Sequence, residues 1–287
     1  MNILLTLYQN SIMYCKTMLL SLFEHSNVQL NIFIFHSNLN EKEINEITKF
    51  IKSYHNNVNI IKIDNHYFQN APLYRGCTKE IYYRLLAMDK LPNTIERVLY
   101  LDIDIIINNN IEGFYNMDFN ENYFIVCEDK NHSKKNIELY NILGIPQDAK
   151  YFNSGVLLFN LSLLRKNKQS KSIQEFMQSD WKEKNKWFHD QNVLNSLYYD
   201  KVKYSDYQIY NCFIKNIPRE KRPFYLENSC IFHFAGLKPW KYKYPNECYK
   251  IWWKYAIKAG YKKEFLKFII KHKIYFFLNP SKIYNPR

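Results

Sequence analysis

Two carboxylates interrupt an apolar run in the middle of the chain. The stretch 97–108 reads RVLYLDIDIIIN, in which Asp102 and Asp104 stand where a strand buried on both faces would otherwise continue. Side chains in a strand alternate between its faces, so the two aspartates are predicted to point the same way, with Ile103 on the other side. Two like charges so close repel unless they are protonated or share a cation, and oxygen ligands suit a hard divalent ion. Alone, an Asp-x-Asp triplet is a weak signal, because two aspartates can also end a strand in water.

The composition limits the class of protein. A chain of 287 residues is long enough for one large α/β domain or two small ones. Its formal net charge of +13 favours anionic partners such as nucleotide phosphates, anionic lipids or nucleic acid. Its six cysteines show no Cys-x-x-Cys spacing, which favours reduced thiols in a cytoplasmic protein. The N-terminal sequence has no basic region before an apolar stretch, and no apolar run approaches bilayer length, so we expect a soluble or at most peripheral protein.

Strands are predicted to alternate with helices along the first half of the chain. Residues 2–7, 30–35 and 58–63 are predicted strands, and residues 11–25 and 40–54 are predicted helices. Asn40 and Glu43 have the spacing of a capping box, and Thr78 is a candidate cap for the helix that carries Arg84. This alternation favours parallel pairing through right-handed crossovers, with ligands bound at the carboxyl ends of the strands. Asp102 and Asp104 lie at such an end.

The second half of the chain is less regular. Residues 123–127, 151–160 and 229–234 are predicted strands, and Gly155 within the second of them permits close approach of the backbone. A helix is predicted over 170–184, and another begins at His189, with Asp190 near its N-terminus, where a carboxylate is favoured.

Four segments occur in one order along the chain: RVLYLDIDIIIN, YFNSGVLLFN, HDQNVLN and IFHFAGLKPW. With them, residues 1–250 resemble glycosyltransferase family 8, the retaining GT-A enzymes that include bacterial lipooligosaccharide galactosyltransferases, glucosyltransferases and glycogenin. The resemblance implies an α/β GT-A fold, with a Rossmann-like, mostly parallel central sheet flanked by helices. It also divides the chain into a catalytic domain, 1–250, and a basic helical C-terminal segment, 251–287.

The resemblance implies a role for each matched residue. Mn²⁺ or Mg²⁺ would be bound by Asp102, Asp104 and His233. Arg84 would contact the donor and the aspartates, and an arginine among apolar neighbours requires a carboxylate partner, for which Asp102 is the candidate. Catalytic roles fall to Gln191, Asp190 and Arg84. The UDP-sugar donor would be bound by Tyr8, Asn10, Asp102, Ile103, Asp129, Asn153, Gly236 and Lys238.

Lys238 would pair with a phosphate on a loop that closes over the donor. The loop after the first strand departs from the family pattern, because it carries Tyr8 and no acidic residue for the uracil. We expect Tyr8 to stack on the base instead.

Retention by double displacement would need a carboxylate nucleophile beneath the anomeric carbon. The resemblance places Gln191 there, whose amide is a poor nucleophile, and Asn192 stands where many relatives have a further aspartate. We therefore expect front-face, internal-return substitution. The cation and Lys238 would draw charge towards UDP, Gln191 would steady the oxocarbenium-like centre, and the leaving phosphate oxygen would take the acceptor proton.

The acceptor is expected to be a glycan or glycolipid, as in lipopolysaccharide or other surface-glycan synthesis, and the loop 66–77 is expected to select it. The segment from Tyr261 mixes aromatic and aliphatic residues with lysines and has no acid after Glu264. This pattern fits a helix lying on an anionic membrane at the inner face of the cytoplasmic membrane, and it equally fits a helix packed on the domain with its lysines in water.

Other classes of protein share parts of this pattern. A nucleic-acid-binding protein would explain the charge and the aromatic residues, but it would not need Asp102, Asp104 and His233 together. For that reason we expect no nucleic-acid partner. A noncatalytic nucleotide-sugar-binding protein would keep the fold, yet it would have no use for the complete set of metal ligands.

Overall fold

The computed structural model describes residues 1–64, 66–69, 71–73, 78–130, 137–178 and 190–282. Several sequence-based predictions fall partly outside these ranges: His189, the part of the predicted helix 170–184 beyond Gln178, part of the loop 66–77 and the last five residues of the chain.

A seven-stranded sheet with the order β3-β2-β1-β4-β7-β6-β8 organises the fold, and β5 pairs with β9 in a separate antiparallel ladder. The strands are β1 (Asn2–Leu7), β2 (Asn31–His36), β3 (Asn57–Lys62), β4 (Arg97–Leu101), β5 (Ile105–Ile107), β6 (Phe124–Glu128), β7 (Phe152–Asn160), β8 (Val202–Ser205) and β9 (Ile231–His233).

The sheet is mostly parallel, as predicted, with one exception. β7 runs antiparallel to both of its neighbours, β4 and β6, whereas the other strands of the large sheet run in one direction. β6 and β7 are consecutive in sequence and adjacent in space, so the chain returns beside the strand it has just left. The central strands β1, β4 and β7 are buried along nearly their whole length, which explains their continuous apolar sequence.

Helices cover both faces of the sheet. The α-helices are α1 (Ile12–Glu24), α2 (Glu41–Ser53), α3 (Ala87–Lys90), α4 (Glu112–Tyr115), α5 (Ile137–Leu143), α6 (Leu161–Lys166), α7 (Gln169–Gln178), α8 (Asp190–Tyr198), α9 (Tyr207–Tyr210), α10 (Arg222–Asn228), α11 (Tyr249–Lys258) and α12 (Lys262–Leu278). Within the described ranges, 3₁₀ helices span Lys79–Leu86, Ile214–Asn216, Arg219–Lys221 and Pro280–Lys282.

The starts of two helices test the predicted caps. Asn40 and Glu43 form the predicted capping box, with Glu43 N donating to Asn40 Oδ1 at 3.0 Å and Asn40 N donating to Glu43 Oε2 at 3.1 Å. The segment that carries Arg84 is instead the 3₁₀ helix Lys79–Leu86, and the Thr78 side chain makes no capping hydrogen bond. The predicted Thr78 cap was wrong.

The C-terminal helices pack on the main body of the fold. α11 contributes Trp252 and Trp253 to an apolar cluster with Phe234 and Tyr244, and α12 adds Phe268. Residue 250, where the sequence places the boundary between the catalytic domain and the C-terminal segment, lies within α11, and that division of the chain stays a prediction. In the described part of the chain, the helices are too short or too polar to cross a bilayer.

Candidate active site

The Asp-x-Asp triplet lies in a turn between two strands. β4 ends at Leu101 and β5 begins at Ile105, so the expectation that Asp102 and Asp104 share a strand face was wrong. The backbone holds the two residues separately. Asp102 N donates to Gly155 O on β7 at 2.9 Å, and Asp104 O accepts from Phe234 N, just after β9, at 3.0 Å. The triplet is thereby fixed between the central sheet and the small β5–β9 ladder.

His233 joins these aspartates from far along the chain. The β5–β9 register pairs Ile105 with His233, which brings the imidazole next to the turn. Its Nε2 lies 3.3 Å from Asp104 Oδ1 and 3.8 Å from Asp102 Oδ2. One ligand atom from each of the three residues lies within 4.8 Å of the others, so the three side chains could share one cation. Two carboxylates and an imidazole form a donor set that suits Mn²⁺ or Mg²⁺.

Gly155 leaves the space that this cluster occupies. A Cβ atom at this position would lie 2.4 Å from His233 Cε1 and 2.7 Å from Asp102 Oδ2, closer than atoms can approach. The close approach predicted at Gly155 is therefore made by two predicted metal ligands.

Arg84 connects the cluster to the neighbouring helix. Its Nη2 donates to Asp102 Oδ1 at 3.0 Å, which confirms the predicted partner, and its Nε lies 3.2 Å from Asp190 Oδ2. The guanidinium also stacks 4.0 Å from the centre of the Tyr100 ring, and Nη1 donates to Ser154 O at 2.5 Å. Burial opposes the charge, but Asp102 and Asp190 raise the pKa of Arg84 above its ordinary value. Asp190, at the start of α8, is thus part of a buried ion-pair network.

Gln191 lies at the centre of a second polar group. Its Oε1 accepts from Asn153 Nδ2 and from Ser154 N, each at 3.0 Å, and its Nε2 donates to Asp129 Oδ2 at 3.3 Å. Asp129 and Asn153 are both buried. The structure therefore brings together the predicted sugar-binding residues of β7, α8 and the end of β6. Asn192, the departure from the family pattern, is buried and contacts the hydroxyl of Tyr151.

Two lysines lie on the loop side of the cluster. Lys238 forms an ion pair with Asp104. Burial alone would raise the pKa of Asp104, but Lys238 and His233 hold it well below its ordinary value. Lys215 Nζ donates to Ala235 O at 3.4 Å and lies 3.5 Å from where a Cβ on Gly236 would be. Burial, and then the charge of Lys238, lower the pKa of Lys215. Gly236 itself has φ +82°, which suits glycine at this turn.

The remaining predicted donor-binding residues lie after β1 and in the Asp-x-Asp turn. Tyr8 is half-buried, and burial, followed by the charges of Tyr14 and Asp104, raises the pKa of its phenol to about 12. Asn10 is exposed, has φ +68°, and donates its backbone N–H to Glu43 Oε1 at 2.7 Å. Ile103 is half-buried against the sheet core. No hydrogen bond joins Asn10 to the Asp102–His233 cluster in the described ranges.

The family of the protein follows from a comparison with family models. The model described as "Glycosyl transferase family 8" matches residues 2–244. The chain belongs to glycosyl transferase family 8. The predicted resemblance is confirmed.

Relatives and solved structures agree with this assignment. Lipopolysaccharide glucosyltransferase WaaO of Escherichia coli K12 is 30% identical over 65% of this chain and 56% of its own length. Lipopolysaccharide 1,3-galactosyltransferase of Salmonella typhimurium is 26% identical over 66% of this chain and 57% of its own length. The chain spans 56% to 70% of the length of the first curated relatives that it matches.

The galactosyltransferase LgtC, solved with donor and acceptor sugar analogues, has a TM-score of 0.79 at 19% identity and covers 92% of this chain and 100% of its own. The glycosyltransferase GlyE of Streptococcus pneumoniae TIGR4 has a TM-score of 0.65 at 18% identity, over 100% of this chain and 65% of its own. The predicted GT-A fold is confirmed.

Sequence reasoning missed three residues of this family-8 site. Tyr100, whose hydroxyl donates to Asp102 Oδ1 at 2.6 Å, was assigned only to the apolar strand. Asn211 accepts from the imidazole of His233, with its Oδ1 2.8 Å from Nδ1. Lys215 precedes the IFHFAGLKPW segment by many residues. Asn211 and Lys215 lie outside all four recognised segments, so nothing in the sequence singled them out.

Proposed function

We propose that this protein is a retaining hexosyltransferase that moves glucose or galactose from a UDP-sugar to a glycan or glycolipid acceptor. The observation that carries the proposal is the convergence of Asp102, Asp104 and His233 within 4.8 Å, in a chain of glycosyl transferase family 8. The names of the relatives, which are lipopolysaccharide glucosyl- and galactosyltransferases, support a hexose donor and an acceptor in surface-glycan synthesis.

The residues of the cluster fit a divalent cation, Mn²⁺ or Mg²⁺. The three side chains supply two carboxylates and one imidazole from one small region, and Gly155 leaves room for them. Such a cation would act as a Lewis acid and neutralise the charge that develops on the UDP leaving group. Arg84 and Tyr100 hold the Asp102 carboxylate in place through hydrogen bonds of 3.0 and 2.6 Å.

Two lysines beside the cluster are suited to the diphosphate. Lys238 is the lysine of the recognised Lys-Pro-Trp motif, and Lys215 is half-buried next to Gly236. Phosphate oxygens would compensate the charge that burial disfavours at Lys215. Both ammonium groups would therefore stabilise the leaving nucleotide.

The polar group around Gln191 favours front-face substitution. The amide of Gln191 is fixed by Asn153, Ser154 and Asp129, and an amide is a poor nucleophile. Asp190 is buried in an ion pair with Arg84, which lowers its nucleophilicity. In this arrangement Gln191 orients and steadies the sugar while the leaving phosphate oxygen takes the proton of the acceptor hydroxyl.

Hydrolysis of UDP-sugars tests this function without an acceptor. UDP-glucose, UDP-galactose and related donors are incubated with the protein and Mn²⁺, and released UDP is measured. We expect one hexose donor to be hydrolysed, with turnover lost on chelation and in Asp104→Ala. Proton NMR of the first product should show the anomer with the configuration of the donor.

The exposed Asp148→Asn is the control and should retain turnover. Hydrolysis that survives Asp104→Ala would overturn the metal assignment, and Mn²⁺-dependent UDP binding without turnover would favour a noncatalytic sugar-nucleotide-binding protein.

We also propose that α12 attaches the protein to an anionic membrane surface at the inner face of the cytoplasmic membrane. One face of this helix packs on the domain through Phe268. The opposite face exposes a stripe at helical spacing, which includes Ile270 at 59% and Phe277 at 85% exposure, together with Leu266 and Ile274. Exposed lysines flank this stripe at Lys262, Lys263, Lys267, Lys271 and Lys273. Apolar side chains between cations match the interface of a bilayer that contains anionic lipids.

Sedimentation with lipid vesicles tests the attachment. We expect the protein to sediment with phosphatidylcholine vesicles only when they contain phosphatidylglycerol, and less so at high salt. Replacing Ile270 and Ile274 with aspartate should abolish sedimentation. Phe224→Asp, which changes an apolar side chain exposed to 62% on α10, is the matched control and should leave sedimentation unchanged. The proposal would be contradicted if the Ile270 and Ile274 variant sedimented with anionic vesicles to the same extent as the unaltered protein.

A further inference from the structure

An unbroken series of side-chain hydrogen bonds connects the cluster of Asp102, Asp104 and His233 with the polar group around Gln191. Starting at His233 Nδ1, the series passes to Asn211 Oδ1 at 2.8 Å and from Asn211 Nδ2 to Asn153 Oδ1 at 3.0 Å. It continues from Asn153 Nδ2 to Gln191 Oε1 at 3.0 Å and from Gln191 Nε2 to Asp129 Oδ2 at 3.3 Å. We name this series, His233–Asn211–Asn153–Gln191–Asp129, the amide chain.

Backbone N–H groups fix which way each amide of the chain points. Gly155 N donates to Asn153 Oδ1 at 2.9 Å, and Ser154 N donates to Gln191 Oε1 at 3.0 Å. A backbone N–H can only donate, so both accepting atoms are oxygens. Asn153 Oδ1 must then receive its second hydrogen bond from the Asn211 NH₂ group, which turns the Asn211 oxygen towards His233.

The direction of the amide chain decides the tautomer of His233. An oxygen facing Nδ1 requires Nδ1 to carry a proton. Nε2, which faces Asp102 and Asp104, is then the ring nitrogen that can give up its proton to a bound cation. Every amide of the chain donates towards Asp129 and accepts from the side of His233, so each bond polarises the next in the same sense.

We propose that Asn211 is a positioning residue: it holds His233 in the Nδ1–H tautomer, and through Asn153 it ties that ligand to Gln191. This inference rests on the proposed function in one respect: the proposed function identifies the metal and Gln191, which the amide chain joins. Because the amide chain is continuous, a change at its Asn153 link should reach the imidazole, although among the described residues no hydrogen bond joins Asn153 directly to His233.

The backbone around Asn211 is secured without its side chain. Asn211 N donates to Tyr207 O at 3.1 Å, Cys212 N donates to Ile231 O at 2.9 Å, and His233 N donates to Cys212 O at 2.9 Å. Phe213 also packs edge-on against His233, with ring centres 5.3 Å apart. Removal of the Asn211 amide should therefore leave the backbone of His233 in place on its strand. Only the hydrogen bond that orients the His233 ring is lost.

Two readouts in Asn211→Ala test the proposal. In the metal-free protein at alkaline pH, nitrogen-15 NMR of the histidine side chains reports the tautomer of His233, whose signal is identified by its loss in His233→Gln. In Asn211→Ala this signal should change from one Nδ1–H tautomer to a mixture. Mn²⁺ affinity, measured by electron paramagnetic resonance without nucleotide, should fall about 10- to 100-fold, as for loss of other groups that orient metal-bound histidines. Asn153→Ala should shift the His233 signal in the same direction.

The controls separate positioning from stability and from the proposed function. Asn56→Ala removes another buried amide, whose Oδ1 accepts from Leu30 N at 2.9 Å far from the site. It should destabilise the fold without changing Mn²⁺ affinity or the His233 signal. An unchanged tautomer in Asn211→Ala would overturn the inference, as would an unchanged signal in Asn153→Ala. A protein that lacks UDP-sugar turnover would refute the proposed function instead, because the tautomer is measured without any substrate.

Discussion

Arg84 and Asp102 are joined by a 3.0 Å ion pair at the carboxyl end of the central strand β4, and the same guanidinium lies 3.2 Å from Asp190 on α8. The pair therefore connects three parts of the fold: the 3₁₀ helix Lys79–Leu86, the Asp-x-Asp turn and the start of α8. Asp190 and Arg84 are almost fully buried, whereas the side chain of Asp102 is 28% exposed. One charged side chain thus compensates one buried carboxylate, Asp190, and one partly exposed carboxylate, Asp102.

Replacement of Arg84 by methionine is expected to destabilise the fold strongly. It leaves a buried carboxylate uncompensated, and loss of one partner of a buried ion pair typically costs about 3–5 kcal/mol. We expect the lower end of this range in urea unfolding, because Asp102 is partly solvated. Arg84→Lys should lower the free energy of unfolding by a smaller amount. Some loss is expected because a lysine cannot reproduce the planar guanidinium contacts. In the double variant Arg84→Met with Asp190→Asn, the loss of unfolding free energy should differ from the sum of the losses in the two single variants. Strict additivity would show that Arg84 and Asp190 are not coupled.

Replacement of Gly155 by alanine is expected to damage metal binding more than folding. The added Cβ would lie 2.4 Å from His233 Cε1 and 2.7 Å from Asp102 Oδ2, so both predicted ligands must move. Displacement of two ligands should weaken Mn²⁺ binding by about tenfold or more, or about 1.4 kcal/mol. Gly113→Ala is the matched control because nothing lies within 4 Å of its added Cβ. Titrations of both variants with Mn²⁺ check this, and equal affinities would contradict it.

Most of the fold was predictable because periodicity and local signals agreed. The apolar strands β1, β2 and β4 and the capping box of α2 follow from short-range patterns, and β4 is buried as its sequence requires. The antiparallel direction of β7 was not predictable, because β7 is buried throughout and reads like a parallel strand. Strand direction depends on the path of the connecting chain rather than on the residues of the strand itself.

The site was predictable where its residues belong to a recognised segment. Asp102, Asp104 and His233 converge as expected, although a turn rather than strand alternation brings the two aspartates together. Asn211 could not be identified from the sequence, because its role depends on a contact with His233, which lies 22 positions further along the chain. A lone asparagine beside an apolar segment gives no sign that its side chain orients a histidine.

Acid should reduce the stabilising contribution of Asp104 in the metal-free protein. Its pKa is held well below the ordinary value of about 3.9 by Lys238 and His233 against the effect of burial. A carboxylate with a lowered folded-state pKa stabilises the protein above its unfolded-state pKa, and this contribution is lost as the pH falls towards the folded-state value. With a chelator present, Asp104→Asn should therefore cost about 2 kcal/mol at pH 7. The cost should shrink as the pH falls below about 4.

Urea unfolding of the wild type and Asp104→Asn between neutral and acidic pH measures this difference. The exposed Asp148→Asn serves as the control and should show a small difference that changes little over the same range. A cost of Asp104→Asn that stays constant as the pH falls would contradict the assigned ion pairs.

Replacement of Lys215 by methionine is expected to stabilise the ligand-free protein and to weaken UDP binding. Burial and Lys238 lower the pKa of Lys215, which means that its charge is disfavoured in the folded state, so its removal should raise the melting temperature. The same ammonium should favour the diphosphate, and its loss should weaken UDP binding in the presence of Mn²⁺ by about tenfold, or about 1.4 kcal/mol. Calorimetric titration and thermal unfolding measure the two effects. Lys215→Arg should retain most of the affinity, and Lys250→Met, at an exposed position on α11, should change neither quantity. Unaltered UDP affinity in Lys215→Met would exclude Lys215 from the diphosphate site.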